Sequence, residues 1–324
     1  MSARYMQPLR ILIQCTFFGG MLWLGFRFYH FVQDVISGSI GASAVRPAGI
    51  DGFLPISGLL GISSWMKGGG INSVHPAAVV IFVTIVLVSV LLRRSFCSWI
   101  CPIATISESA WKGGARFFRR SWRFPLWLDC ILRSLKYLLM VFFSYSIVLA
   151  MSPDSLASFI QSDYHKIADV RLLNFFLHIS PGALSIVLVL VALSVILRNP
   201  FCRYLCPYGA LLGLVAMMSP LRVTRSLDRC VTCGVCSQAC PTHIDVKNKK
   251  SVNSPECIGC WRCISHCRFN EALSMRAVRR INVPGYVFAI LVVLLFWGGT
   301  RIGVLSGYWD SSVTIDEYVR LLRK

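Results

Sequence analysis

Eight cysteines in the last third of the chain have a spacing that can bind metal clusters. The first run has the pattern C-x2-C-x2-C-x3-C-P and comprises Cys230, Cys233, Cys236 and Cys240. The second run repeats the cysteine spacing and comprises Cys257, Cys260, Cys263 and Cys267. Thiolates at these offsets are typical of two [4Fe–4S] clusters.

In this pattern three ligands of each cluster come from one run and the fourth comes from the other run. The first predicted ligand set is Cys230, Cys233, Cys236 and Cys267. The second predicted ligand set is Cys257, Cys260, Cys263 and Cys240. Zinc knuckles and a disulfide framework are the alternatives, but zinc has no use for a third and fourth cysteine at these offsets.

A second cysteine motif, Phe-Cys-x3-Cys-Pro, occurs twice, 105 residues apart. The two copies contain the pairs Cys97 and Cys101, and Cys202 and Cys206. On a continuing helix, residues four apart lie on one face, so each pair is expected to present two sulfur atoms together. Four such thiolates could bind a third cluster or form a thiol–disulfide couple, whereas the alternative is that they only pack a helix end. Cys15 and Cys130 fit no pattern, and we expect them to be buried, inert thiols.

The composition predicts a membrane protein, with 55% hydrophobic and 15% charged residues and a mean hydropathy of +0.63. A membrane-spanning helix needs about 20 mostly apolar residues. Five runs approach that length: Leu9–Phe26, Val74–Leu92, Leu135–Met151, Leu172–Leu197 and Ile281–Thr300. The second and fourth runs are each followed directly by a segment that contains a C-x3-C-P motif. We therefore predict two parallel repeats of two spans each, followed by a fifth span.

The distribution of basic residues predicts the orientation of these spans. With the N-terminus inside, the inner segments carry 24 basic and six acidic residues, and the outer segments carry nine and eight. Basic residues favour the cytoplasmic side, so the double cysteine run is expected in the cytoplasm and the tail outside. The net charge of +19 lies beside spans and accompanies no nucleic-acid motif, which favours contact with anionic lipid over nucleic acid.

The two Phe-Cys-x3-Cys-Pro motifs followed by the double cysteine run resemble the NapH/NosR-type membrane polyferredoxins. The likeness extends from about Leu9 to Arg280. It implies a mainly α protein of the bacterial inner membrane with a small cytoplasmic bacterial-type 2[4Fe–4S] ferredoxin domain. It also implies electron exchange between the quinone/quinol pool and redox partner subunits of an oxidoreductase complex. The resemblance implies four spans, so the predicted fifth span departs from it. The chain also lacks the flavin-attachment domain of the nitrous oxide reductase regulator, and both departures leave the terminal partner open.

The predicted domains follow this division. Residues 1–134 and 135–220 form the two membrane repeats, 221–280 the ferredoxin domain, and 281–324 the fifth helix and outer tail. The predicted function is that of a non-catalytic or quinol-oxidising electron-transfer subunit. The alternative is an accessory protein whose clusters reduce a metal, cofactor or thiol during maturation of another enzyme. No haem-attachment, Walker or dinucleotide motif accompanies the cysteines.

A quinone site is predicted on the outer side. His75 and His178 lie at the outer starts of the second and fourth spans, and Asp51 lies in the adjoining loop. Quinol oxidation releases protons, and histidine has the side chain whose ordinary pKa suits their transfer. The alternatives are histidines that are merely hydrated at the membrane surface, or a haem held by two histidines.

Overall fold

The computed structural model describes residues 5–38, 45–118, 122–269, 271–277 and 281–322. Arg4 and Lys324, which contribute to the predicted charge distribution, lie outside these residues. The described chain is mainly helical and contains one three-stranded sheet. The predicted mainly α class is therefore confirmed.

Three helices among the described residues are long and apolar enough to cross a membrane: Met6–Ser37, Leu126–Ala150 and Gly285–Leu305. The helices Ala168–Leu177 and Pro181–Ile196 make a fourth crossing if this bent pair counts as one span. The helix Pro76–Leu92 is apolar but has 17 residues. The structure thus confirms the membrane class with three or four candidate spans, and the number five remains a prediction.

The chain divides into two compact units. Unit 1 comprises Met1–Phe18, Ile85–Met140 and Val187–Phe296, and unit 2 comprises Gly19–Thr84, Val141–Ile186 and Trp297–Lys324. Five helices have residues in both units: Met6–Ser37, Pro76–Leu92, Leu126–Ser144, Pro181–Ile196 and Gly285–Leu305. Each change of unit along the sequence therefore falls inside one of the five predicted spans.

Unit 1 contains the sheet and the short helices that follow the cysteine motifs. Its further helices are Phe96–Trp99, Pro102–Phe118, the π-helix Phe201–Leu205, Pro207–Val215, the 3-10 helix Ala216–Met218, Val235–Ala239 and Arg262–Ser265. The strands are β1 (Arg222–Arg225), β2 (Ser251–Val252) and β3 (Leu273–Arg276), in the antiparallel order β2-β1-β3. Val223 pairs with Val252 on one side and Met275 on the other, and all three are buried. This apolar row fixes the register of the sheet.

Unit 2 is built from short helices. They are the 3-10 helix Ala48–Phe53, Pro55–Met66, the π-helix Tyr145–Ala150, Pro153–Ile160, Asp163–Lys166, Ala168–Leu177 and Ile315–Leu322. The side chains of Ser152 and Ser162 cap the helices that follow them by accepting backbone N–H bonds. An apolar core joins the C-terminal helix to the first helix through Tyr318 and Phe31, whose rings meet edge to face.

Three sequence predictions differ from the structure. The run Leu172–Leu197 is not one straight helix but bends by 80° before Pro181, because proline lacks an N–H group and restricts the preceding residue. The first helix continues to Ser37, well into the predicted outer loop. Cys15 and Cys130 are exposed on candidate spans rather than buried, since their helices have few buried positions.

Candidate metal centres

The second predicted ligand set surrounds a cavity in unit 1. Cys240, Cys257, Cys260 and Cys263 all line this cavity, although Cys240 comes from the first cysteine run. Left-handed backbone at Gly259 and Trp261 turns the chain between the cysteines of the second run. The arrangement brings together the four thiols that the cross-paired pattern groups.

The first ligand set is more open to solvent. Cys236 is buried, Cys230 and Cys267 are half-buried, and Cys233 is exposed. Burial raises the pKa of the Cys236 thiol, and the neighbouring charges of Cys267 and Cys230 raise it further. The thiol of Cys236 therefore interacts electrostatically with Cys230 of its own run and with Cys267 of the other run.

Each C-x3-C-P motif forms one short helical segment that ends in a π-type hydrogen bond, and not a continuing α-helix. The backbone N–H of Cys101 donates to the carbonyl of Phe96 at 3.0 Å, and that of Cys206 donates to Phe201 at 3.0 Å. Both bonds span five residues, which is the π-type spacing. The proline of each motif then begins a new helix, at Pro102 and Pro207.

The structure brings the four motif cysteines together in unit 1. Cys97 and Cys202 line a second cavity. Burial raises the pKa of Cys101 to about 12, and the charges of Cys97 and Cys206 add to this effect. Burial also raises the pKa of Cys202, with the charges of Cys101, Cys206 and Cys97 adding to it. Thiolates at such close, buried positions need positive charge nearby, and the irons of a cluster would supply it.

Polar hydrogen atoms of the protein also point at these sulfurs. Arg94, which is buried, donates from Nε to Cys97 Sγ at 3.4 Å. The backbone N–H of Gly209 donates to Cys206 Sγ at 3.2 Å, at the start of the helix Pro207–Val215. A Cβ atom at Gly209 would lie 2.9 Å from Arg94 Nη2, so only glycine fits without displacing that guanidinium. The site therefore fits an anionic iron–sulfur cluster.

Buried ion pairs hold the elements around this cavity. Lys136 Nζ lies 2.6 Å from Glu256 Oε1, next to Cys257 in sequence. Arg203, next to Cys202, makes a bidentate pair with Asp129 at 2.9 and 2.8 Å. Sequence reasoning did not single out these residues. The signal was available, because Asp129 and Lys136 are charges within an apolar helix, where unpaired charge is costly.

Among the described residues, no group of three or more His, Cys, Asp or Glu side chains is arranged around a single metal ion. A zinc site needs such a group, whereas a [4Fe–4S] cluster binds each thiolate through a different iron. The ligand assignments remain predictions.

The predicted quinone residues separate in unit 2. His75 is fully buried, and its Nδ1 lies 3.0 Å from Asp51 Oδ1. His178 is exposed beyond the end of the helix Ala168–Leu177. The structure thus brings His75 and Asp51 together but leaves His178 apart.

Further residues, absent from the predicted site, complete the His75 network. Arg46 contacts both Asp51 and Asp169, and the Tyr318 hydroxyl donates to Asp169 at 3.3 Å. The ring of His165 lies 4.9 Å from that of His75. Sequence spacing gives no signal for this cluster, because its members come from four separate segments.

The second histidine of this network is held neutral. His165 Nδ1 faces the Ile160 carbonyl at 3.1 Å, and Nε2 faces the Ser57 hydroxyl at 3.0 Å. Burial, together with the charge of the neighbouring His75, lowers the pKa of His165 to about 4. Both Nε2 atoms of the pair are already hydrogen-bonded, and the rings meet edge to face, so the two histidines do not form a haem site.

Two protein-family models match the chain. One, described as a 4Fe-4S binding domain, matches residues 74–125 and 179–225, and each segment contains one C-x3-C-P motif. The other, described as a 4Fe-4S dicluster domain, matches residues 222–268 and contains all eight cysteines of the double run. Iron–sulfur binding is therefore supported in both regions, although the number of clusters is not fixed by these matches.

Several known proteins are similar over long stretches. The candidate electron transport protein YccM of Escherichia coli is 35% identical over 307 residues, covering 93% of this chain and 86% of YccM. The ferredoxin-type protein NapH of Escherichia coli is 26% identical over 206 residues, covering 60% of this chain and 67% of NapH. The methylamine utilization ferredoxin-type protein MauN of Paracoccus denitrificans is 42% identical over 74 residues, 22% of this chain and 26% of MauN.

No solved structure matches the chain. The similarity to YccM covers nearly the whole chain, and the names of its relatives place them in electron transport and among ferredoxin-type proteins. The predicted resemblance is thereby confirmed: the chain belongs to the NapH-type polyferredoxin family of membrane-bound iron–sulfur electron-transfer proteins.

Proposed function

We propose that this protein is a membrane subunit that exchanges electrons between the quinone/quinol pool and a partner redox protein. The observation that carries the proposal is the pair of cysteine-lined cavities in unit 1. One is lined by the cross-paired ligand set of the double run, and the other by cysteines from both C-x3-C-P motifs. Bound there, iron–sulfur clusters supply one-electron exchange.

The proposed ligands form three sets in unit 1. The first set is Cys230, Cys233, Cys236 and Cys267, and the second is Cys257, Cys260, Cys263 and Cys240. The third set is Cys97, Cys101, Cys202 and Cys206. The cavity that Cys97 and Cys202 line also includes Pro241 and Ile258, which adjoin Cys240 and Cys257 of the second set. This adjacency supports a short electron path between the proposed second and third sets.

We place quinone exchange in unit 2, at the buried pair His75 and Asp51. The pair offers an imidazole and a carboxylate where the reaction must move protons as well as electrons. His178 is exposed in the same unit, whereas His75 and Asp51 are buried, so the proposed site omits His178.

The proposed arrangement in the membrane follows the charge of the two units. The sequence segments of unit 1 carry 24 basic and six acidic residues, and those of unit 2 carry nine and eight. Five helices have residues in both units, which supports five spans with the ferredoxin segment 221–280 in the cytoplasm and the tail outside. Residues 1–134 and 135–220 are then the two membrane repeats of the proposed arrangement.

The experiment is quinol-dependent reduction of the purified full chain in lipid nanodiscs, followed by cluster absorption and EPR. We expect wild-type clusters to be reduced or re-oxidised by a quinol/quinone couple. Alanine at any of the four C-x3-C-P cysteines should abolish this exchange while the ferredoxin-type signals persist. Cys130→Ala is the matched control, because Cys130 is exposed and lies outside all three sets.

Two outcomes contradict the proposal. The alanine variants of Cys97, Cys101, Cys202 and Cys206 could affect electron exchange in four unrelated ways or not at all. Either result would show that these thiols only pack the helix ends. If the cluster-containing protein exchanges electrons with a metal or disulfide substrate but not with quinol, the result would favour the maturation function instead.

A further inference from the structure

Unit 2 contains a buried cluster of charged side chains that includes none of the proposed iron–sulfur ligands. Arg46 precedes the 3-10 helix Ala48–Phe53, Asp51 lies within that helix, and His75 directly precedes the helix Pro76–Leu92. Arg46 Nε donates to Asp169 Oδ2 at 2.8 Å, and Arg46 Nη2 donates to Asp51 Oδ1. The side chains of Asp51, His75 and Asp169 are fully buried, and that of Arg46 is 8% exposed.

The hydrogen-bond partners of His75 specify its protonation state. His75 Nδ1 lies 3.0 Å from Asp51 Oδ1, and Nε2 lies 2.8 Å from the backbone carbonyl of His165. A carbonyl and a carboxylate only accept, so both ring nitrogens must donate. Asp51 Oδ1 also accepts from Arg46, which only donates, so the proton belongs on the imidazole. His75 is therefore an imidazolium ion.

This proton balances the charge of the cluster. Arg46 and protonated His75 carry two positive charges, and Asp51 and Asp169 carry two negative charges. Tyr318 and His165, the other titratable groups in contact with these residues, are neutral. Loss of the proton leaves one uncompensated negative charge in a buried site, which is costly.

The same geometry also accommodates the deprotonated state. Arg46 Nη2 lies 3.3 Å from His75 Nδ1, within reach of the lone pair that deprotonation would expose. The Nε2 hydrogen can stay on the His165 carbonyl, so no ring nitrogen loses its partner. Arg46 Nη2 thus donates to Asp51 when His75 is protonated, and it can donate to His75 Nδ1 when His75 is neutral.

We propose that Arg46, Asp51 and His75 form a buried proton-exchange site that holds one proton at rest and can release it. Two atoms of the site, Arg46 Nη1 and Asp51 Oδ2, are buried without a hydrogen-bond partner among the described residues. They provide a donor for a quinone carbonyl oxygen, which takes the proton when the quinone is reduced, and an acceptor for the quinol hydroxyl, which returns the proton on oxidation. This inference rests on the proposed quinone site for its role but concerns an equilibrium property of the site itself.

The electrostatics agree with the geometry. Burial alone disfavours the charged imidazole, but the hydrogen bond and charge of Asp51 outweigh it and raise the pKa of His75 above its ordinary value. Asp169 also raises it, whereas Arg46 opposes it. The charged pair therefore stabilises unit 2 below the ordinary histidine pKa, and this contribution is lost as pH rises through the raised value.

The test is solid-state 15N NMR of the full chain in lipid bilayers with all six histidines labelled, titrated from pH 6 to pH 9 without quinone. An unperturbed histidine is about nine-tenths neutral at pH 7.5. We expect one imidazolium signal to persist mostly protonated at that pH, and His75→Asn to remove it. His178→Asn is the matched control, since His178 is exposed, and it should leave this signal unchanged.

Replacing Asp51 tests whether its carboxylate is what keeps His75 protonated. Asp51→Asn should return His75 to the neutral form at pH 7.5, whereas Asp51→Glu should keep the imidazolium signal. If Asp51→Asn fails to fold, the wild-type titration and Asp51→Glu still decide. The inference is overturned if all six wild-type histidines are neutral at pH 7.5, or if the persistent signal survives His75→Asn. Because quinone is absent, this outcome is independent of the quinol-reduction experiment.

Discussion

At the scale of single residues, Arg94 has an unusual position. Its guanidinium is buried, donates to Cys97 Sγ at 3.4 Å and lies close to the space that Gly209 leaves open. Burial of an arginine is costly unless negative charge accompanies it. Four thiolates with a bound cluster would provide that charge, so Arg94 should also tune the energy of adding an electron there.

We expect Arg94→Met to lower the reduction potential of the third centre, because the variant lacks a cation that favours the more negative, reduced state. The decrease should be on the order of 100 mV, which corresponds to about 2.3 kcal/mol for one electron. Potentiometric EPR titration measures this potential. Arg94→Lys keeps the charge and should stay near wild type, while equal potentials in Arg94→Met and wild type would contradict an electrostatic role.

At the scale of elements, the C-terminal helix Ile315–Leu322 completes unit 2. Its Tyr318 is buried in the apolar core, and the hydroxyl group donates to Asp169 of the charge cluster. The ion pair of Lys166 with Glu317, at 2.8 Å, attaches the same helix to its neighbours. This helix therefore connects the apolar core with the buried charges.

Tyr318→Ala should destabilise unit 2 by about 3–5 kcal/mol, because it leaves a cavity in the core. Tyr318→Phe removes only the hydroxyl group and should cost about 1 kcal/mol. Thermal unfolding in detergent, followed by circular dichroism, measures both. Tyr308→Ala is the control, since Tyr308 is 48% exposed. Equal effects of the alanine variants at 308 and 318 would show that the helix is not part of a cooperative core.

At the scale of the whole molecule, charge and structure divide the chain in the same way. The residues of unit 1 carry nearly all of the net positive charge, and those of unit 2 are close to neutral. A membrane protein that inserts by the positive-inside rule has this asymmetry between its two sides.

Topology reporters test this division. An alkaline phosphatase fused after Lys324 should be active, because the enzyme folds only outside the cytoplasm, and one fused after Arg276 should be inactive. Fluorescent-protein fusions at the same two positions should give the opposite pattern. An inactive phosphatase at Lys324 would contradict five spans and place the tail in the cytoplasm.

The amino-acid sequence alone was enough to predict the family and the mainly α membrane class, and it also predicted which four cysteines line one cavity. It could do so because cluster ligands and membrane spans are encoded locally. The spacing of Cys257, Cys260 and Cys263 fixes which thiols can meet, and a run of apolar residues is enough to indicate a span. The net charge of each segment can likewise be counted from the sequence alone.

How segments far apart in the sequence come together is seen only in the folded chain. The C-x3-C-P motifs form short helical segments with a π-type bond instead of a continuing helix, and the fourth apolar run bends before Pro181. Around His75 the structure has Arg46 and Asp169, which were not predicted there, and His178 is not part of this cluster. These polar residues are far apart in sequence and have no fixed spacing. Their proximity arises because buried charges must be paired, and the partners depend on how the helices pack.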